Sequence, residues 1–438
     1  MLKAQAQPLV EGSAAAALAP SRLARPQRIM LGGLCVMYMI TYVDRVNLAT
    51  AAPFIQSELG LTAAQLGLVF SAFALPYGLL QPLGGWLGDR FGARAVLFAM
   101  GLLWAAATAL TGLATGLAFL FVARMLLGFG EGATFPTATK AMADWLPARR
   151  RGFAQGITHS FARLGNAVAP PIVGYLIYLS NWRLAFYVLG AASLVWVIWW
   201  VRFYRNDPRD HAAIGAEQLR ELPPIQRRGA RDAVPWRALL RRVLPVTAVD
   251  FCYGWTLWVY LTWIPSFLAK QYNLPLGKFV WFSAGVLFAG VIGDTVGGVL
   301  SDAILTRTGD LRLARRLNLV VGLLGSLLFL LPCLFVRDLV WVALLLSLAF
   351  FFLELTNAVL WALPMDLAPR HAGIAGGVMN TGFGLAGIFS PAVFGLLLDL
   401  TGSWQAPFAT SVLLLFVGVF LSLRIDPTDV VPLAPGEG

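Results

Sequence analysis

Charge is scarce in this chain. Of its 438 residues only 13% are Asp, Glu, Lys or Arg, whereas 58% are hydrophobic, and mean hydropathy is +0.72. A soluble chain of this length needs far more polar surface to stay dissolved, so a soluble protein is excluded. Cysteine is scarcer still. Cys35, Cys252 and Cys333 each fall inside an apolar run, which reads as packing and offers no disulfide or metal framework. A secretory signal is missing too. The Ala-rich stretch 14–19 follows an acidic residue and lacks an apolar core, so residues 1–28 read as a cytoplasmic tail. No polar segment is long enough to house an enzyme, and no nucleophile–base set, metal cluster or phosphate loop stands at a sensible place. Neither an enzyme nor a bound cofactor is expected.

What is abundant is apolar sequence in runs near the 20 residues needed to cross a bilayer. They fall at 29–54, 62–87, 95–115, 117–141, 153–178, 183–203, 242–268, 278–302, 316–335, 339–364, 373–398 and 405–423. Twelve spans predict an all-α polytopic membrane protein. Its divisions are an N-terminal tail (1–28), a six-helix bundle (29–203), a central loop (204–241), a second six-helix bundle (242–423) and a C-terminal tail (424–438). The formal charge of +11 suggests nucleic acid only if its distribution is ignored. Arg22, Arg25 and Arg28, then Arg90 and Arg94, then Arg149, Arg150 and Arg151 lie on alternate loops. The central loop and Arg307, Arg312, Arg315 and Arg316 continue the series, while the intervening loops hold little basic charge. By the positive-inside rule both termini are cytoplasmic, and the partner is the lipid bilayer rather than nucleic acid.

The two halves repeat. The segment GWLGDRFGAR (85–94) follows span two, and Gly298 and Asp302 end span eight, 213 residues after Gly85 and Asp89. Spans five and eleven match at an offset of 221 through Gly152/Gly373, Gly156/Gly377, Pro170/Pro391 and Gly174/Gly395. Internal repeats with a site between them are a habit of secondary transporters. In the loop, Gly85 allows close helix approach. Asp89 is suited to accept from helix N-termini or to pair with an arginine, and with Asp302 makes a conformational latch. Arg90 and Arg94 hold the loop at the cytoplasmic surface, and Gly92 completes the pattern. A tight turn with positive-inside charge explains the Gly and Arg but not the Asp at fixed spacing.

Here the chain resembles the major facilitator superfamily, from about Arg28 to Leu423. YVDRVNLATAAPFI in span one, RMLLGFGEGATFPTATKAMADWLP in span four, WVYLTWIPSFL in span seven and GGVMNTGFGLAGIFSPAVFGLLLDLTGSW in span eleven look like its anion:cation symporter family. That resemblance implies a monomeric carrier in a bacterial inner (plasma) membrane. Its cargo would be organic anions such as hexuronates, aldonates or aldarates, moved with protons rather than sodium.

Charges inside the spans carry the rest of the reading. A charge in hydrocarbon costs at least a few kcal/mol, so it faces a cavity or a partner. Arg45 is the first candidate for a substrate carboxylate, because its planar fork matches that group. A structural salt bridge to Glu131 or Asp44 is the plainer alternative. Arg124 is a further candidate for the substrate carboxylate; it and Glu131 lie two helical turns apart, about 10 Å along the axis, too far for a direct pair. Burial disfavours a charged carboxylate and a nearby arginine favours it, the competition a proton-coupling site needs. Asp44 and Glu131 are assigned to coupling, with a fixed helix–helix ion pair as the alternative. Gly128, Gly130 and Gly132 thin the helix around Glu131.

Tyr42, Tyr77 and Gln81 are candidate substrate contacts, as the family resemblance implies for span-one and span-two tyrosines. Asn380 matches a cavity position of the family, and the 221 offset sets His159 opposite it. His159 and Arg163, four apart, share a face of span five and offer a second anion site. Asp294 and Glu354 stand at membrane depth without obvious partners; Glu354 is a further coupling candidate. Trp361 could wall the pocket or simply pack. Asp250 reads as a helix-boundary charge. The rivals are a carrier of aromatic or small carboxylates, an exporter or proton antiporter, and a non-transporting membrane sensor. Pro170-Pro171 without paired glycines argues modestly against the exporter.

Overall fold

A computed structural model describes residues 23–147, 150–215, 219, 222, 235–368 and 372–431. The side chains of Pro82, Asp89, Arg151, Ala372 and of the flanking glycines 152 and 373 lie outside the described residues. The chain is all helix. Its long elements are α1 (Arg25–Leu59), α2 (Ala63–Phe91), α3 (Ala93–Thr111), α4 (Leu117–Gly132), α5 (Thr134–Trp145), α6 (Arg151–Leu179) and α7 (Trp182–Phe203). Across the central loop follow α8 (Trp236–Gln271), α9 (Leu276–Thr308), α10 (Leu311–Leu330), α11 (Leu339–Leu355), α12 (Asn357–Leu367), α13 (Ala372–Thr401) and α14 (Gln405–Ser422). They form twelve spans in two sets of six. Spans four and ten are each split, into α4–α5 and α11–α12.

Local chemistry sets the ends. Gly60, Gly309 and Gly402 close their helices in the left-handed region, which costs a residue without Cβ nothing. Thr62, Asn181, Asp310 and Asp338 accept backbone N–H groups at the next helix starts. Ten spans are long and apolar enough to cross a bilayer by length and composition. The other two, α6 and α8, are long but carry His159 and Arg163, or a run of Trp, Tyr and Pro.

The breaks in spans four and ten are counterparts. Ala133 and Thr356 cap them, and Glu131 and Glu354 each stand two residues earlier, at a common offset of 223. In span four the cause is Pro136, whose ring and missing N–H cannot continue the ladder from Gly132. Thr134 and Thr137 hydroxyls donate back to the carbonyls of Gly130 and Ala133, and Thr356 to that of Leu353.

The start of α1 and the end of α14 lie at one end of the bundle, and the halves meet at the other. At this far end α2 packs backbone-to-backbone on α13. A Cβ on Gly395 would come within 2.2 Å of the Ala63 carbonyl, and one on Gly67 within 2.3 Å of that of Pro391. Midway, at Gly78 and Gly384, the gap has widened to 3.9 Å, and Gly377 nearer the terminal end meets nothing within 4 Å. Spans five and eight repeat the gradient, with Gly174 tight on Val280 and Gly156 open. Asp399 fastens the far end by accepting the N–H groups of Ala63 (3.0 Å) and Ala64 (2.6 Å) at the start of α2. Lys270 adds a bond from α8 to Gln56 of α1. The halves therefore enclose a cleft that opens toward the end where α1 starts and α14 ends.

At that open end the described polar ties stay within a half. Arg94 donates to the Val201 carbonyl and takes Asn206 at its N–H, with Gly92 (φ +81) leaving room for the Asn206 side chain. Arg90 lies over Trp86 and Phe91. Arg315 binds Asp366 (2.8 Å) and Ser301 (2.8 Å), while Asp302 is exposed and only 4.0 Å from it. One expectation fails here. The close approach belongs to Gly84, where a Cβ would come within 2.5 Å of the Ala133 Cα, and not to Gly85, which one residue on points about 100° away and where a Cβ would have 4.0 Å of clearance.

Candidate functional site

The first charge cluster joins spans one, two and four. Arg45 is 2% exposed and Glu131 wholly buried, and they pair through a single contact, Nε to Oε2 at 3.1 Å. Around this guanidinium stand Tyr42 (4.4 Å from Cζ to ring centroid), Tyr77 (4.5 Å), and Phe73 and Phe135 (5.3 Å each). Desolvated cation–π contacts of this kind are worth about 2 kcal/mol each, and with a hydrogen bond to Tyr77 they hold the cation while leaving Nη2 unused. Arg45 Nη2 and Glu131 Oε1 have no partner among the described residues. A buried donor and acceptor left over at one pair is an arrangement that a ligand or a proton completes.

Asp44 faces elsewhere, because adjacent helical residues point about 100° apart. Its carboxylate accepts from Asn47 (3.1 Å) and Ser193 (3.5 Å), toward span six. Arg124 donates to the Asp44 carbonyl (3.2 Å), lies over Phe73 (5.1 Å), and makes no pair with Glu131, as the two-turn spacing predicts. The glycines around Glu131 do thin α4. A Cβ on Gly128 would come within 2.2 Å of the Phe73 carbonyl, one on Gly132 would press on Tyr77 and Leu80 of α2, and one on Gly130 on Trp104 of α3.

The second cluster crosses between the halves. Arg163 of α6 reaches Glu354 of α11 (3.1 Å), Asp294 of α9 (3.5 Å) and the Tyr253 hydroxyl of α8 (3.4 Å). Tyr253 in turn donates to Glu354 (3.3 Å), and Asn357 to Asp294 (2.9 Å). Asp294 and Glu354, which have no obvious partner in the sequence, thus share Arg163; their cation comes from the other half, which spacing along one span does not reveal. Glu354 Oε1 is buried without a described partner. Asp250 is not a boundary charge either. It is 4% exposed inside α8 and accepts the Phe383 N–H of α13 (3.0 Å).

Tyr42 links the clusters, lying 6.0 Å from the Arg163 Cζ as well as against Arg45. On the open side His159 packs edge-on to Tyr38 (5.5 Å) and 6.3 Å from the ring of Trp361, itself 42% exposed. Gln81, one turn beyond Tyr77 on α2, and Asn380, between Gly377 and Gly384 on α13, are half-buried on the faces that line the cleft. Sequence reading missed Phe73, Phe135, Tyr253 and Asn166. Asn166 is 1% exposed with both amide atoms unpartnered among the described residues. Its position three residues after Arg163 was the available signal.

Comparison with known proteins gives the following. The family model described as Major Facilitator Superfamily matches residues 34–391 and 308–438. A Cupriavidus necator protein named "Probable sulfoacetate transporter" is 54% identical over 406 residues, 92% of this chain and 94% of that protein. A Bacillus subtilis hexuronate transporter is 32% identical (84% of this chain, 87% of that one), and an Escherichia coli D-galactonate transporter is 32% identical (86% and 91%). In fold, the chain is similar to the crystal structure of a bacterial homologue of the human lysosomal transporter Spinster, in an inward-facing, unoccupied conformation. The TM-score is 0.76 at 17% identity, over 95% of this chain and all of that one.

Proposed function

The chain belongs to the Major Facilitator Superfamily, and we propose that it is a proton-coupled symporter that carries a small organic anion into the cell by alternating access. The observation that carries this reading is the Arg45–Glu131 pair, buried, singly bonded and with one free donor and one free acceptor. An anionic group that takes the Arg45 fork makes two short charge-assisted bonds in place of one. Glu131 then loses its cation in a wholly buried place and takes a proton, so anion and proton load together. Asp44 is the second proton carrier, and Arg124 fixes its backbone. Tyr42, Tyr77 and Gln81 flank the anion, with His159, Trp361 and Asn380 on the open side.

The Cupriavidus relative brings sulfoacetate to this chain as the first cargo to try. The Bacillus and Escherichia relatives support a second reading, a sugar acid such as a hexuronate or aldonate. With the termini and basic loops in the cytoplasm of a bacterial inner membrane, the cleft is the inward-facing state. Residues 29–203 and 242–423 are the bodies that rock, and Asp89 with Asp302 would latch the opposite state.

Proteoliposome uptake with an imposed pH gradient tests this. Inside-alkaline liposomes should accumulate the anion above its equilibrium level, and Glu131→Gln should abolish that accumulation while counterflow exchange persists. Accumulation indifferent to the gradient, in both proteins, overturns the coupling.

A further inference from the structure

Of the site's three buried arginines, Arg124 is held by the Asp44 carbonyl, and a single carboxylate would use only one of the other two. Arg45 belongs to the N-terminal half with its partner Glu131, whereas Arg163, also of that half, spends its charge on Glu354 and Asp294 across the interface. The Arg163 contacts run from 3.1 to 3.5 Å, longer than the 2.7–2.9 Å of tight charge-assisted bonds. A guanidinium so loosely held among three acceptors can be drawn to a better one. Both guanidinium carbons face the same ring. Tyr42 lies 4.4 Å from Arg45 and 6.0 Å from Arg163, so the two cations are separated by no more than the sum of these distances.

We propose that Arg45 and Arg163 grip opposite ends of one short dianion, whose two anionic groups are separated by a single methylene. This rests on the transport reading above and narrows it. A fork on a carboxylate or sulfonate sets the guanidinium carbon about 4 Å from the anion's central atom. Two such groups on one methylene are about 2.7 Å apart by ordinary bond lengths. The whole spans roughly 10 Å when slightly bent, which falls within the upper limit that the shared Tyr42 ring sets on the separation. A six-carbon diacid, with terminal carbons about 6 Å apart when extended, needs roughly 14 Å and reaches both only by folding back on itself, at a cost in conformational freedom. Asn166, one turn along α6 with its amide unpartnered, supplies a donor beside the same ligand.

The arrangement also assigns a stoichiometry. A dianion on both arginines strips Glu131 and Glu354 of their cations, and each is wholly buried. One proton on each carboxylate restores the charge of the site, so these two carboxylates take up two protons per dianion, in addition to any that Asp44 carries. Because Glu354 and Asp294 belong to the other half, the ligand replaces an inter-half ion pair that otherwise ties the clusters together.

The test is thermal-shift binding on purified full-length protein with three probes: sulfoacetate, the six-carbon diacid galactarate, and the monoanion galacturonate. Each is run on the wild type, Arg45→Gln, Arg163→Gln, Arg163→Lys and Glu354→Gln. Sulfoacetate should bind the wild type best. Arg163→Gln should weaken it roughly ten- to hundredfold, the worth of a charged hydrogen-bonded contact, without weakening galacturonate. Glu354→Gln, which frees Arg163, should tighten sulfoacetate, and this outcome does not depend on Arg163→Gln folding. Equal loss of all probes in Arg45→Gln alone, with sulfoacetate untouched in both Arg163 variants, overturns the two-arginine grip and leaves the transport reading standing. Galactarate binding as tightly as sulfoacetate overturns it as well. Anion binding that survives Arg45→Gln instead overturns the role given to Arg45 in the transport reading.

Discussion

Arg45 keeps its charge at membrane depth by an unusual division of partners: four aromatic faces and one carboxylate oxygen. The rings supply attraction mostly through their faces, which leaves the Nη2 end of the fork open to an anion. Lysine carries the same charge but offers a point donor without a plane to stack. Arg45→Lys should therefore fold yet lose both the two-point grip and the stacking, with anion affinity falling roughly a hundredfold. Ligand titration measured beside the melting temperature checks this; unchanged affinity would show that the fork is not the anion's contact. This residue and Glu131 were legible in sequence because a charge in an apolar run needs a reason. The cage was not, since Phe73 and Phe135 are ordinary members of apolar spans until the fold turns them inward. Glu354 illustrates the same limit. Its partner Arg163 lies in a different half, so only the assembled bundle names it.

Among the elements, α2 and α13 do the closing, and their glycines are spaced to let backbone meet backbone at the far end alone. Span limits were read closely from hydropathy, because length and apolarity are the bilayer's own requirements. Which glycine bears the contact was not readable, since neighbours such as Gly84 and Gly85 differ only in direction. A larger side chain at Gly67 would drive Cβ into the Pro391 carbonyl, 2.3 Å away. Gly67→Val should destabilise the far-end closure by roughly 1–3 kcal/mol, the usual cost of overpacking. Gly156→Ala, whose Cβ meets nothing within 4 Å, serves as the control and should leave stability unchanged. Thermal unfolding in detergent distinguishes them; equal melting temperatures for both variants would mean that the α2–α13 contact does not support this state.

For the molecule as a whole, the decisive feature is that described bonds between the halves sit at the far end and at mid-depth, while those at the open end stay within a half. Transport then requires the far end to part, and its fastening is Asp399 on the first N–H groups of α2. A covalent tie there should arrest the cycle without touching the charge clusters. Ala64→Cys with Asp399→Cys places two thiols where a carboxylate oxygen now lies 2.6 Å from a backbone nitrogen. The native Cys35 and Cys252 are buried and add no competing accessible thiol, and Cys333→Ser removes the partly exposed third. Oxidation of this protein in proteoliposomes should stop uptake of the anion, and reduction should restore it. Anion binding from the open end should persist throughout, because the cleft stays accessible. Uptake that continues at full rate in the oxidised, cross-linked protein would mean that the halves do not need to separate at this end, and alternating access through the far gate would be wrong.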